Sequence, residues 1–94
     1  MHEPLPPIPL AEIETMRAVA VAYRARYAEC WPGEDCHHAA QEAAELAYRD
    51  RHPGCTWAEA TQEVIPMIAI VSSQYSAWFW EPVKVKQRAA GIEV

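Results

Sequence analysis

The chain has 94 residues, 51% of them hydrophobic and 22% charged, with a net charge of −5. That is enough apolar sequence for one core and too little for two domains. Three glycines and no low-complexity stretch exclude collagen-like, solenoid and disordered chains. The acidic balance argues against direct nucleic-acid binding by phosphate neutralisation.

Residues 1–9 carry Pro4, Pro6, Pro7 and Pro9. Proline fixes φ and lacks an N–H, so an extended arm is expected there. From Leu10 the pattern turns helical. Ile13, Met16, Ala20, Tyr23, Tyr27 and Cys30 recur at alternating spacings of three and four, which is one face of an α-helix. Pro32-Gly33 stops it. A second helix is expected from Glu34-Asp35, whose carboxylates suit the positive end of the helix dipole, to Arg51, with Pro53-Gly54 beyond. Its apolar residues are mainly Ala39, Ala40, Ala43, Ala44 and Ala47, which permit close approach of backbones but bury little area.

Thr56-Trp57-Ala58-Glu59 reads as a capping box opening a third, longest helix. Trp57, Thr61, Val64, Ile68, Val71, Tyr75 and Trp78 follow a helical spacing, with Pro66 expected to kink the helix and Pro82 to end it. Residues 83–94 form a short tail, either an edge strand or a loose basic segment. The expected fold is all-α: a single domain over residues 1–94, a three-helix bundle with a long kinked third helix, an N-terminal arm and a C-terminal tail. The expected core seam sets Trp57, Ile68, Val71, Tyr75 and Trp78 against Ile13, Met16, Ala20, Tyr23 and Tyr27. One internal echo stands out: Ala22-Tyr23-Arg24-Ala25-Arg26 and Ala47-Tyr48-Arg49-Asp50-Arg51 match at an offset of 25, as do Cys30 and Cys55. Two similar helix endings account for it more simply than duplication.

Cys30, Cys36, His37, His38, His52 and Cys55 are metal-ligand types. Helix two separates His52 and Cys55 from the rest by roughly 24 Å at 1.5 Å per residue, so one ion cannot gather all six. The remainder, Cys30, Cys36, His37 and His38, departs from structural zinc spacing, and small buried thiols are its commoner meaning. Cys36 beside a helix N-terminus is also a candidate activated thiol, without a recognisable oxyanion hole or partner. His38, Glu42, Glu45 and Arg49 form a polar stripe, the usual solvated face of an amphipathic helix. Glycine-rich phosphate loops, Ser-His-Asp logic and HExxH are missing. No cofactor is expected.

Trp78, Phe79 and Trp80 are consecutive, so on a helix they sweep some 200° and cannot enter one seam. Upstream, residues 64–71 are apolar on every side, apart from Pro66. Residues 29–63 hold eight acids against Arg49 and Arg51. These features favour a non-enzymatic protein-interaction module: a small acidic inhibitor or adaptor that occupies a partner's surface, including one that normally holds nucleic acid. Phage anti-defence proteins are an analogy of class, not of motif. The expected contact residues are Glu34, Asp35, Glu42, Glu45, Ile65, Ile70, Phe79 and Trp80, and the aromatic end suggests a homodimer. The alternatives are a metal- or thiol-dependent regulator or enzyme at Cys30, Cys36, His37 and His38, and a structural subunit of a larger assembly. The longest apolar-leaning stretch, residues 64–80, is too short and too polar for a membrane span. Three cysteines and no signal-peptide pattern point to a cytoplasmic protein with reduced thiols.

Overall fold

Among the described residues the chain forms four helices, not three. The computed structural model describes residues 10–91: α1 (Leu10–Cys30), α2 (Cys36–Arg51), α3 (Trp57–Gln74) and α4 (Ser76–Ala89). No strand occurs among the described residues. The proline-rich arm and residues 92–94 lie outside them.

α1 is the hub. It meets each of the other three helices, and its most extensive contact is with α2. The core joins Val19, Ala20 and Tyr23 of α1 with Ala40, Ala44 and Tyr48 of α2, Ala60, Val64, Met67 and Val71 of α3, and Phe79 of α4. Ala40, Ala44 and Ala60 are fully buried, which is the close approach that the small residues permit. α1 and α2 run antiparallel. At one end Arg51 donates from Nε to the buried Thr15 hydroxyl at 3.1 Å, and His52 meets Glu12 at 3.3 Å. At the other, the Tyr23 hydroxyl lies 2.7 Å from His37 Nδ1.

The capping box forms as expected: Thr56 Oγ1 accepts from the Glu59 N–H at 3.2 Å, and the Glu59 carboxylate accepts from the Thr56 N–H at 3.0 Å. The long third helix does not. Its chain direction breaks at Tyr75, which sits at φ −124°, ψ 41° between α3 and α4. Just before the break, the Ser73 hydroxyl donates to the carbonyls of Ala69 at 2.8 Å and Ile70 at 3.2 Å, and Ser72 also reaches Ala69. Such back-bonding draws carbonyls away from the helical ladder and bends helices. Pro66 is carried within α3 and leaves it one helix.

Pro82 does not end a helix either; it lies inside α4. Proline deprives the carbonyl four residues earlier, that of Trp78, of its usual partner. Arg24 supplies a replacement from α1, with Nε 2.9 Å from the Trp78 carbonyl oxygen and its guanidinium 4.4 Å above the Trp78 ring. Most of the expected tail is therefore the second half of α4. Lys86 uses this position to donate to the Ala28 carbonyl and, at 3.1 Å, to that of Trp31. It thus caps α1, whose last turn has no basic residue of its own.

The core seam is rotated from the expected one. Ala20, Tyr23 and Val71 are buried, while Met16, Tyr27 and Ile68 pack at the margin. Ile13, Trp57, Tyr75 and Trp78 are exposed. α3 instead turns Ala60, Val64, Met67, Ile70 and Val71 inward, the face that meets the alanine surface of α2 as well as α1. Trp57 opens its helix at the rim of that contact, and Tyr75 occupies the break.

Candidate functional site

Displacing those side chains from the core creates an apolar groove. Ile13, Met16, Arg17, Ala20 and Val21 of α1, with Val71 of α3, Tyr75 at the break and Trp78 of α4, line an open space of about 460 Å³. Four of its large side chains stay open to solvent: Val21 is 46% exposed, Tyr75 58%, Trp78 38% and Ile13 37%. The break at Tyr75 makes the groove, because it swings Trp78 onto α1, where Arg24 holds both its ring and its carbonyl. Arg17 is the charged lining residue. The sequence signal was the triplet Arg17, Val21 and Arg24, which share a helical face distinct from the core seam.

The residues expected to bind a partner are dispersed. Ile70 and Phe79 are buried by this chain's own packing, and Phe79 is only 1% exposed. Phe79 stacks on Tyr23 at a centroid separation of 5.3 Å and meets Trp80 edge-on at 4.9 Å. Trp80 is half-buried and also meets Tyr27 edge-on. Folding of α4 over α1 therefore does the covering that another chain was expected to do for Phe79. Ile65 keeps 53% of its surface exposed. Glu34, Asp35 and Glu42 are exposed, whereas Glu45 accepts hydrogen bonds from Gln41 at 3.0 Å and Thr61 at 2.9 Å.

A second, acid-edged groove of about 450 Å³ lies between α2 and α3, lined by His38, Gln41, Glu42, Glu45 and Trp57. Trp57 is 46% exposed, with the Arg49 guanidinium 4.3 Å over its ring. His38 and Glu42 stand 4.0 Å apart, so this part of the polar stripe is an exposed intrahelical pair.

Cys30, Cys36, His37 and His38 share one pole, but the four side chains do not gather on one point: the sulfurs pair and each histidine turns to another partner. The two sulfurs are 2.7 Å apart, His37 pairs with Tyr23, and His38 pairs with Glu42. α2 runs unbroken to Arg51, which places His52 and Cys55 at its far end. Among the described residues, no three His, Cys, Asp or Glu side chains gather as a metal-holding group.

Burial, the nearby Tyr27 and Cys36 together push the Tyr23 hydroxyl up to about 12. The hydrogen bond to Cys30, then burial, pushes the Cys36 thiol up. Burial and then Glu59 do the same to Cys55. All three shifts favour the neutral, protonated group. No helix among the described residues is long and apolar enough to cross a membrane. Comparisons with family models, curated proteins and solved structures return no match to this chain.

Proposed function

We propose that the protein is a non-enzymatic interaction module that docks an apolar segment of another protein in the groove between α1 and the break at Tyr75. The carrying observation is the concentration of Ile13, Val21, Tyr75 and Trp78, all solvent-exposed, around one concave surface. Buried interface hot spots are rich in tryptophan and tyrosine, held rigid in pockets of this kind. Trp78 is already fixed by Arg24, so its ordering entropy is spent on folding and not on binding. Arg17 at the rim favours a partner segment that carries carboxylates beside its apolar residues. The role that follows is that of an adaptor or inhibitor, acting by occupancy.

A second reading keeps the acid-edged groove as the docking face, for a basic partner surface with Trp57 as its anchor. Trp57 exposed beside Glu42 is the observation that favours it.

Site-specific photocrosslinking in the native host separates the two. A benzophenone side chain at Tyr75 is expected to capture a discrete partner protein, and Val21→Asp is expected to abolish the adduct. Capture from Trp57 that Glu42→Lys abolishes, with none from Tyr75, would transfer the function to the acid-edged groove. An adduct between two copies of the chain would assign the first groove to self-association and overturn the proposal.

A further inference from the structure

The loop between α1 and α2 joins two sulfurs that the interaction reading leaves unused. Cys30 is the last residue of α1 and Cys36 the first of α2. Their Sγ atoms lie 2.7 Å apart, against about 2.05 Å in a disulfide, so bond formation needs a closure of only about 0.7 Å. The loop is built around this approach. The Gly33 N–H donates to the Cys30 carbonyl at 2.7 Å, and the Cys36 thiol reaches the Gly33 carbonyl at 3.2 Å. A Cβ at position 33 would fall 2.8 Å from the Cys30 carbonyl oxygen and 3.7 Å from its sulfur, so glycine is what permits the fold of the loop.

We infer that Cys30 and Cys36 form a thiol–disulfide exchange site, with Cys30 as attacking thiol and Cys36 as resolving thiol, whose co-reactant is a low-molecular-weight disulfide. The two sulfurs differ in the way such a division requires. Cys30 is half-exposed and meets reagents first, whereas Cys36 is 7% exposed. The Cys30 thiolate attacks one sulfur of the small disulfide, forms a mixed disulfide and expels one thiolate, which takes up a proton. Cys36 then gives up its proton and attacks the Cys30 sulfur, closing the Cys30–Cys36 disulfide and expelling the second thiolate. Two chain thiols are oxidised and one disulfide is reduced to two thiols, a two-electron exchange. Cys55, at the far end of α2, serves as an internal control.

The test treats the reduced 94-residue chain with oxidised glutathione, quenches with an alkylating agent and maps the peptides by mass spectrometry. The expected product is a Cys30–Cys36 disulfide, two hydrogens lighter, with no glutathione retained at either residue. Cys36→Ser is expected to stop at a glutathione adduct on Cys30. Cys30→Ser is expected to react at Cys36 at least tenfold more slowly. Both variants are first checked for unchanged helical circular dichroism, and Cys30→Ala and Cys36→Ala replace any that fails. Glutathione retained at Cys30 in the wild-type chain, or oxidation confined to Cys55, would overturn the assignment.

Discussion

Tyr23 shows how one side chain is set by several neighbours. Its ring stacks with both Tyr27 at 5.9 Å and Phe79 at 5.3 Å, and its hydroxyl pairs with His37. A phenol held neutral in this way, at about 12 against an ordinary 10, favours the folded state below pH 10. As pH rises toward 12 the unfolded chain ionises first, so that contribution is lost across this window. Alkaline denaturation followed by circular dichroism is therefore expected to steepen between pH 10 and 12. Tyr23→Phe keeps the stacking and removes the ionisation, so its decline there is expected to be shallower. At pH 7 the same variant is expected to lose about 0.5–1 kcal/mol for the missing hydrogen bond, read from urea titration. An unchanged alkaline slope in the variant would show that other groups dominate.

Among the elements, Arg24 is placed to carry α4 across Pro82. Proline at position 82 predicts a stop, because it removes the usual helical donor to the Trp78 carbonyl. A replacement donor comes from 54 residues away, on α1. If Arg24 sustains α4 across Pro82, Arg24→Met is expected to cost about 1–2 kcal/mol. Pro82→Ala restores a local N–H for the Trp78 carbonyl, so the same arginine substitution is expected to cost less in that background. Urea titration of the four members of this cycle measures the coupling; strict additivity would mean that Arg24 acts elsewhere. The internal echo acquires a physical meaning here. Arg24 and Arg49 occupy equivalent places in the two Ala-Tyr-Arg segments, and each stacks on a tryptophan, Trp78 or Trp57, near the N-terminus of α4 or α3. Each also donates Nε to a backbone carbonyl, that of Trp78 or Cys55. Local signals were therefore legible: the all-α class, the Pro32-Gly33 and Pro53-Gly54 stops, and the Thr56-Glu59 box. The break at Tyr75 and the survival of α4 through Pro82 were not, because one depends on serine back-bonding and the other on a distant arginine. The groove was missed with them. Ile13, Tyr75 and Trp78 fit a core periodicity that assumes one straight helix.

For the whole molecule, the same break decides what remains for association. A straight third helix would have presented Ile65, Ile70, Phe79 and Trp80 to a second copy. Folding α4 back onto α1 buries Phe79 and half-buries Trp80, and Ile70 faces inward at 8% exposure. The apolar surface that remains around the groove carries Arg17 in its lining and Arg24 beneath Trp78. A two-fold interface sets a patch against itself, so an arginine near the axis would meet its own copy. Like charges facing one another in a closing interface oppose association, and the cost grows as water is excluded. The chain alone is accordingly expected to be monomeric at micromolar concentration, with a mass near 10.6 kDa by light scattering. Neutralising the rim by Arg17→Gln is expected to raise any tendency to self-associate, and Val21→Asp to leave the monomer unchanged. A wild-type dimer that Val21→Asp dissociates would show that the groove closes on a second copy despite its charge.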